Sequence, residues 1–477
     1  MQYDEDYFKS EDFKELLDSY ESARQVGEQP FLDADDLVDL ADYYNYIGEG
    51  DKAVEAIDHA LELYPEATLP NVFKAREALA EGDFETAQYY ADCIGDKNDP
   101  DYHYLTAEIM IADDRIETAD RYLRNYAKSV DEDEWEDFVK DCANLFVDYG
   151  VNGKAYQWMM RSKGDDSTDF KELMARTLFG LGKYKDSERL FNELIDRNPY
   201  SSHYWNALAS AQLMDEDYSS AITSSEYAIA INPDDPDGLA SKANGLFRLG
   251  NYEEALEYFG RLEKLMPDDD LVLLNEGVCL VNLQRHEEAV SYLERALEVA
   301  DDESEILPQI YLELAFCYSS MKQPSKALEM INIAMELPGD VTDLMVIRGH
   351  ILLENGMLEE AEETFKKAIR ESDNSPSVLL RIIVSLYDNR YVNSSYEMFK
   401  KFFDIVNDYE PDFNKGHAYM ALCCYDLKKY DEFMEYLGKS VELNPREAKL
   451  VLGFLFPEGM EPSEYISFMK RQLKIEK

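Results

Sequence analysis

Apolar residues along the chain follow a helical period, and a small residue recurs at one fixed place in successive helical segments. Successive small residues are 32 to 38 positions apart, most often 34. The twelve positions, of which the last is a larger residue, are Ala53, Ala87, Ala119, Ala155, Ser187, Ala221, Ala255, Ala289, Ala327, Ala361, Ser395 and Phe433. Such a period is typical of stacked helix pairs. We therefore expect an all-α solenoid of about twelve helix–turn–helix repeats, with a capping helix at each end.

The segment 202–235 shows one repeat clearly. Trp205, Leu208 and Ala209 place apolar groups on one face of a first helix. A polar turn and a second apolar helical face follow, up to Pro233. Proline cannot continue a helix and disfavours helical backbone in the residue before it, so the second helix is predicted to end there.

These residues closely resemble the tetratricopeptide repeat family. The matching residues are Trp205, Leu208, Ala209, Ala221, Ala228 and Pro233 in one repeat, and Leu37, Leu40, Ala41, Tyr44, Ala53, Ile57, Ala60 and Pro65 near the start. The chain is most similar in type to bacterial cytosolic proteins built from many such repeats, which have no assigned function. The resemblance covers roughly residues 34–447 and implies a right-handed superhelical α–α solenoid.

The repeat register divides the chain into five predicted segments. First helices are expected to begin at 34, 68, 100, 136, 168, 202, 236, 270, 308, 342, 376 and 414. The segments are an N-terminal capping helix in 1–33, N-terminal repeats in 34–167, regular central repeats in 168–303, C-terminal repeats in 304–447, and a degenerate repeat or cap in 448–477.

Several places depart from the pattern. The fourth repeat has no closing proline and lies between the acidic run 131–134 and a polar stretch, so a bend or boundary is expected there. Two longer spacings imply four-residue insertions near 300–307 and 404–413. Phe433 replaces a small residue, and looser or shifted packing is expected around it.

Both ends of the chain are predicted to cover terminal apolar faces. Residues 11–26 form an amphipathic helical pattern, and a final helix is predicted to begin near Ser463. Lys470, Arg471 and Lys474 in its last turns suit the negative end of the helix dipole.

The net charge of the chain bears on which partners it can bind, and it does not change the predicted fold. The chain has 47 Lys and Arg against 100 Asp and Glu, a formal net charge of -53. That excess opposes binding to nucleic acid backbones and to anionic membrane surfaces. Two interpretations stay open, namely a large surface that needs solubilising charge and a dedicated acidic face for basic partners.

Neither the cysteines nor the chain start indicates secretion. The six cysteines form no Cys-x-x-Cys pair, and we expect buried free thiols in a reducing compartment. The first ten residues, MQYDEDYFKS, lack the basic and apolar parts of a signal peptide, and no stretch is long and apolar enough to span a membrane. A cytoplasmic protein is predicted.

A search for catalytic motifs is negative. The sequence has no His-Glu-x-x-His, no phosphate-binding loop of the Gly-Lys-Ser/Thr kind and no Gly-x-Ser-x-Gly, and its six histidines are dispersed over different repeats. We therefore expect no enzyme activity, no cofactor and no bound metal.

The resemblance places the second, fifth, ninth and twelfth positions of each repeat on the concave side. In the central repeats these positions are mostly polar and include Glu172, Arg176, His203, Asn206 and Asn244. From residue 270 onward they form an apolar stripe of Leu271, Leu274, Val278, Val281, Leu312, Phe316, Val346, Leu353, Leu380, Val384, Tyr387, Leu422 and Tyr425. The stripe has two interpretations. In the first it is covered, by tight internal packing or by a second copy of the chain. In the second it is an open groove for a partner segment.

Two functions follow from these patterns. The first is a non-enzymatic scaffold or adaptor that binds a segment of a partner protein in the concave groove, and the second is a self-associating structural or chaperone-like oligomer. The C-terminal carboxylate clamp known in some family members is not predicted, because its basic positions hold Ala240, Gln309 and Glu313. If Leu274 and Phe316 line an open groove, replacing both with Asp is expected to weaken partner binding and leave melting nearly unchanged.

Overall fold

The computed structural model describes residues 5–25, 31–301, 304–409, 413–457 and 459–473. Throughout these ranges the regular structure is helical, with no β-strand. The chain divides into two compact units, unit 1 (Met1–Ser241) and unit 2 (Lys242–Lys477). The all-α fold class is therefore confirmed. The division lies inside the predicted central segment, and the five-segment organisation stays a prediction.

Unit 1 begins with two helices outside the repeats and continues with helix pairs. Its helices are α1 (Glu5–Phe8), α2 (Glu11–Gln25), α3 (Ala34–Tyr46), α4 (Gly50–Leu63), α5 (Thr68–Ala80), α6 (Phe84–Cys93), α7 (Pro100–Ala112), α8 (Ile116–Tyr126), α9 (Trp135–Asp148), α10 (Asn152–Met159), α11 (Thr168–Gly180), α12 (Tyr184–Arg197), α13 (Ser202–Met214) and α14 (Tyr218–Ile231). The next helix, α15 (Pro236–Arg248), contains the division between the units.

Unit 2 continues the same alternation. Its helices are α16 (Tyr252–Leu265), α17 (Asp270–Asn282), α18 (His286–Val299), α19 (Leu307–Ser320), α20 (Pro324–Ala334), α21 (Val341–Glu354), α22 (Leu358–Glu371), α23 (Pro376–Asp388), α24 (Val392–Tyr409), α25 (His417–Asp426), α26 (Tyr430–Leu443), α27 (Pro445–Leu452), a 3-10 turn (Gly453–Leu455) and α28 (Pro462–Gln472). From α3 to α26 the helices follow in chain order as twelve pairs.

The predicted register matches the helix starts closely. Eleven of the twelve first helices begin within one residue of the predicted position, and α25 begins three residues late. In both units each helix packs mainly on helices that are adjacent or next but one in the chain.

The ladder of small residues lies in the core. All twelve positions, Phe433 included, are 0% exposed. A small side chain there lets the second helix approach its neighbours closely, which is why the period appears in the sequence. Phe433 belongs to the largest hydrophobic cluster of unit 2, and its ring centroid lies 5.3 Å from that of Tyr425. Phe433 is thus as buried as the small residues of the ladder, and looser or shifted packing around it stays a prediction.

Every turn between the helices of a pair contains one residue with left-handed backbone. Six of these residues are glycine, for which a positive φ costs little. The other six, with φ between 54° and 68°, are Asp114, Glu216, Gln284, Lys322, Arg390 and Lys428. Since such residues disfavour this conformation by about 1 kcal/mol or more, packing of the flanking helices must impose the turn.

The departures from the pattern have distinct structural outcomes. The fourth repeat has a short second helix, α10. The insertion near 404–413 extends α24 to eighteen residues, while part of that insertion, and residues 302–303 of the other, lie outside the described residues. The capping helices are confirmed as α2 and α28, and Lys474 also lies outside the described range.

A buried carboxylate ties the third and fourth repeats together. Asp120 is nearly inaccessible to solvent, and its oxygens accept hydrogen bonds from Arg124 Nε and Lys154 Nζ, each at 3.0 Å. These two cations outweigh the desolvation of the carboxylate, so the pKa of Asp120 is lowered. A buried carboxylate that keeps its cations is tolerated, whereas the same carboxylate without them is costly.

The cysteines are free, as predicted. Five are buried and Cys93 is half-buried. Burial raises the pKa of the Cys279 thiol to about 12, so this thiol stays protonated and unreactive at neutral pH.

In the part of the chain that the structure covers, no helix is both long and apolar enough to cross a membrane.

Candidate functional site

A concave cavity of about 970 Å³ runs along unit 1. Its walls come from the first helices of the first six repeats, α3, α5, α7, α9, α11 and α13. The side chains that line it are Val38, Asp42, Asn45, Leu69, Val72, Phe73, Arg76, Glu77, Asp101, Tyr104, Glu108, Asp141, Asn144, Leu145, Asp148, Tyr149, Glu172, Arg176 and His203. We call this surface the unit 1 cavity.

The repeat register explains why these residues meet. Asp42, Arg76, Glu108 and Arg176 all occupy the ninth position of their repeats, so successive first helices present them side by side. In the fourth repeat the ninth-position residue Asn144 also lines the cavity, and Asp141 lies one residue after the fifth position.

The unit 1 cavity is strongly acidic. It holds seven carboxylates against two guanidinium groups and one imidazole. Several aromatic and aliphatic side chains, among them Phe73 and Tyr104, lie between the charges. A surface of this kind offers charge for attraction and apolar area for contact.

Part of the charge is already paired inside the cavity. Arg76 Nε donates to Glu108 Oε2 at 2.9 Å, and His203 Nε2 lies 3.1 Å from Glu172 Oε1. The hydrogen bond from His203 lowers the pKa of Glu172, and the carboxylate in turn raises the pKa of the imidazole. The Arg176 guanidinium is 3.8 Å from Asp148, a weaker contact.

Three carboxylates of the cavity, Asp42, Asp101 and Asp141, form no ion pair with any described residue. Burial is the largest cause that raises the pKa of each. Asp141 is solvent-accessible at its surface, but the surrounding helices still reduce its hydration. A cationic group placed among these carboxylates would relieve the cost of holding them charged.

The predicted apolar stripe of unit 2 is only in part a surface. Six of its side chains are buried, and these are Leu274, Val281, Val346, Leu353, Leu380 and Leu422. Val278, Leu312, Val384, Tyr387 and Tyr425 are half-buried. Leu271 and Phe316 are 52% and 46% exposed.

Among the residues of the predicted stripe, Leu274 is the one most clearly packed in the core and not exposed on a surface. It is 1% exposed and belongs to the same hydrophobic cluster as Leu293 and Ile310. The condition for an Asp at this position to leave stability nearly unchanged, an open groove, is therefore not met at Leu274, because burying a charge is costly. Phe316, by contrast, is available to solvent.

The two asparagines predicted for the groove differ in environment. Asn206 is buried, and its Nδ2 donates to Asp235 Oδ1 at 2.9 Å. Asp235 also accepts a hydrogen bond from the backbone N–H of Gly238, so Asn206 supports a helix start. Asn244 is exposed.

Sequence reasoning missed most of the unit 1 cavity. It named Glu172, Arg176 and His203 but none of the cavity residues from the first four repeats. The signal was present, because the concave positions of those repeats select Asp42, Arg76 and other lining residues directly.

Twelve helix pairs in one register define a helical-repeat protein. Residues 173–236 and 241–305 match one tetratricopeptide repeat model, and residues 342–374 and 413–447 match another. The chain therefore contains tetratricopeptide repeats in these ranges, and repeats of this family generally act as scaffolds for protein–protein interaction. Among curated proteins, no sequence matches the chain.

Solved structures with similar helix arrangements include several repeat proteins. A thermophilic protein, TTC0263 from Thermus thermophilus, is 24% identical over 39% of this chain and 100% of its own, with a TM-score of 0.31. MamA from Desulfovibrio magneticus is 17% identical over 36% of this chain and 96% of its own, with a TM-score of 0.34. The type IV pilus biogenesis factor PilW is 19% identical over 44% of this chain and 96% of its own, with a TM-score of 0.38.

Metal-ligating side chains are not grouped in the described ranges. No set of three or more His, Cys, Asp and Glu residues there is placed to hold a metal ion. The acidic residues of the unit 1 cavity are spread along the helices instead.

Proposed function

We propose that unit 1 is a binding scaffold that holds a lysine- and arginine-rich segment of a partner protein in its concave cavity. The observation that supports this most is the unit 1 cavity itself, in which six successive first helices present seven carboxylates. The role is binding and not catalysis.

The charge balance favours a basic partner over an apolar one. Asp42, Asp101 and Asp141 form no direct ion pair in the described structure, although the charges of Arg76 and Lys140 act on them from farther away, and their hydration is reduced by the surrounding helices. Lysine or arginine side chains of a bound segment would supply the missing cations. Complementary charge of this kind speeds association and selects against acidic partners.

The aromatic and aliphatic lining gives the segment a second kind of contact. Val72, Phe73 and Tyr104 line the cavity between the carboxylates. The methylene stems of lysine and arginine pack well on such side chains while their charged heads reach the carboxylates. Binding by charge and by stem packing together fits an extended basic segment.

Fluorescence anisotropy with the full chain tests this proposal. A labelled lysine-rich peptide is expected to bind and a glutamate-rich peptide of equal length is not, and added salt should weaken the binding. The double variant Asp101→Asn, Asp141→Asn should weaken it by about tenfold, which corresponds to about 1.4 kcal/mol. Asp196→Asn, at an exposed position on the second helix α12, is the matched control.

Three outcomes oppose the proposal. They are equal binding of both peptides, no effect of the double variant, and an equal effect of the Asp196→Asn control. Circular dichroism melts of each variant separate loss of binding from loss of fold.

Self-association remains the alternative, and it rests on a different unit. Leu271 and Phe316 expose large apolar side chains in unit 2. Light scattering over a dilution series tests it, with Phe316→Asp as the variant that should shift any dimer toward monomer. A strictly monomeric chain at all concentrations contradicts self-association and leaves the binding proposal for unit 1 intact.

A further inference from the structure

A second and smaller cavity lies in unit 2, among α24, α25 and α26. Its volume is about 370 Å³, which is within the range of small-molecule sites. The residues that matter here are Lys400, Phe403, Asp404, His417, Tyr436 and Lys439. Two lysines in one small cavity are notable in a chain with a net charge of -53.

Three rings form a packed wall of this cavity. The ring centroids of Phe403 and His417 are 4.4 Å apart with an interplanar angle of 29°. Phe403 and Tyr436 are 5.7 Å apart at 25°, so the rings are close to parallel. Phe403 and His417 are buried and stack on each other, so a further planar group would pack against ring edges and against half-buried Tyr436.

His417 is a polar group without a partner at this wall. It is 8% exposed, and its Nδ1 has no hydrogen-bond partner among the described residues. Burial, followed by the charge of Lys439, lowers the pKa of His417 to about 4, so the imidazole is neutral at neutral pH. A proton on Nδ1 would leave a buried donor unsatisfied, which favours the tautomer with the proton on Nε2.

The two lysines provide positive charge to the cavity lining. Lys439 Nζ lies 4.9 Å from the Tyr436 ring centroid and 2.7 Å from Glu435, whose carboxylate is exposed. Lys400 Nζ lies 5.3 Å from the Tyr396 ring centroid. Asp404 contributes one opposing negative charge to the cavity lining.

We propose that this cavity binds a small aromatic carboxylate, with its ring against Phe403, His417 and Tyr436 and its carboxylate beside Lys400 and Lys439. Nε2–H of His417 is the neutral donor that completes the set. The ligand class follows from the combination, because aromatic surface alone would select neutral rings and lysines alone would select any anion. This inference is independent of the proposal for unit 1.

Isothermal titration calorimetry of the full chain tests this with three probes: benzoate, its neutral analogue benzamide, and inorganic phosphate. Benzoate is expected to bind at least about tenfold more tightly than the other two, since each lacks either the charge or the ring. Lys400→Met and Lys439→Met should each weaken benzoate binding. Asp404→Asn should strengthen it, because it removes a negative charge from the cavity lining.

Lys449→Met is the matched control, because this exposed lysine of α27 pairs with Glu461 and lies outside the cavity. Circular dichroism melts establish that each lysine variant is folded. The proposal is overturned if benzoate does not bind, if benzamide or phosphate binds equally well, or if both cavity lysine variants bind benzoate like the control.

Discussion

A buried glutamate in unit 2 makes the stability of that unit depend on pH. Glu276 in α17 is 1% exposed, and its Oε2 has no hydrogen-bond partner among the described residues. Burial raises the pKa of Glu276 to about 8, and the nearby charge of Glu263 adds to the shift while Arg295 opposes it. The carboxyl is therefore protonated in the folded chain at neutral pH.

The direction of the effect follows from the two pKa values. In the unfolded chain the group ionises near 4.5, and in the folded chain near 8. Below 4.5 both states are protonated and Glu276 costs no ionisation energy. As pH rises from about 4.5 to about 8, only the unfolded state gains the charge, so stability falls by about 1.4 kcal/mol per unit. The difference of about 3.5 units gives a total on the order of 5 kcal/mol.

Replacing Glu276 with Gln removes this dependence. Urea unfolding is followed by circular dichroism at several pH values between 4.5 and 9. The free energy of unfolding of the variant should rise relative to that of the wild type as pH rises. The two proteins should be closest in stability at the acidic end. Glu257→Gln, at an exposed position in α16, is the control and should follow the wild type.

Parallel curves of midpoint against pH for the wild type and Glu276→Gln would refute the reasoning. Such a result would mean that Glu276 is ionised in the folded chain or reaches water. A variant that unfolds at every pH would instead point to a packing role, and Glu276→Leu then tests whether an apolar side chain restores the fold.

Further predictions concern single side chains, each checked by the change in thermal melting. Gly349→Ala should destabilise by about 1–3 kcal/mol, because an added Cβ would lie 2.2 Å from a ring carbon of buried Phe365. An unchanged melting temperature would contradict that close contact. Leu274→Asp should cost about 3 kcal/mol or more, whereas Phe316→Asp should change stability by less than about 0.5 kcal/mol. Equal effects of the two would contradict the difference in burial. Asp120→Ala should cost about 1–3 kcal/mol, because Arg124 loses its ion-pair partner and Lys154 keeps only Glu117. A neutral result would show that water and Glu117 replace the carboxylate of Asp120 without loss.

The fold was largely predictable because the repeat is local. A small residue such as Ala221 is required wherever two helices approach closely. Small residues therefore recur in the sequence with the same period as the structural repeat. The turns were predictable for the same reason, since helix packing fixes them even where Gln284 or Lys322 stands in place of glycine.

The binding surfaces were predictable only in part. The register places Leu274 and Phe316 on one helical stripe, but whether a stripe is covered depends on how the next repeats pack, and this differs between the two positions. The small cavity of unit 2 left no pattern in the sequence, because His417, Phe403 and Lys439 come from three helices and follow no common spacing.

The neighbour-only packing of the helices has a consequence for how the chain folds. Helices in each unit contact mainly those adjacent or next but one along the chain, so most contacts form between segments that are close in sequence. Low contact order of this kind allows fast folding that begins at any favourable repeat and spreads in both directions. A nascent chain leaving the ribosome can therefore complete its first repeats before the last ones are made.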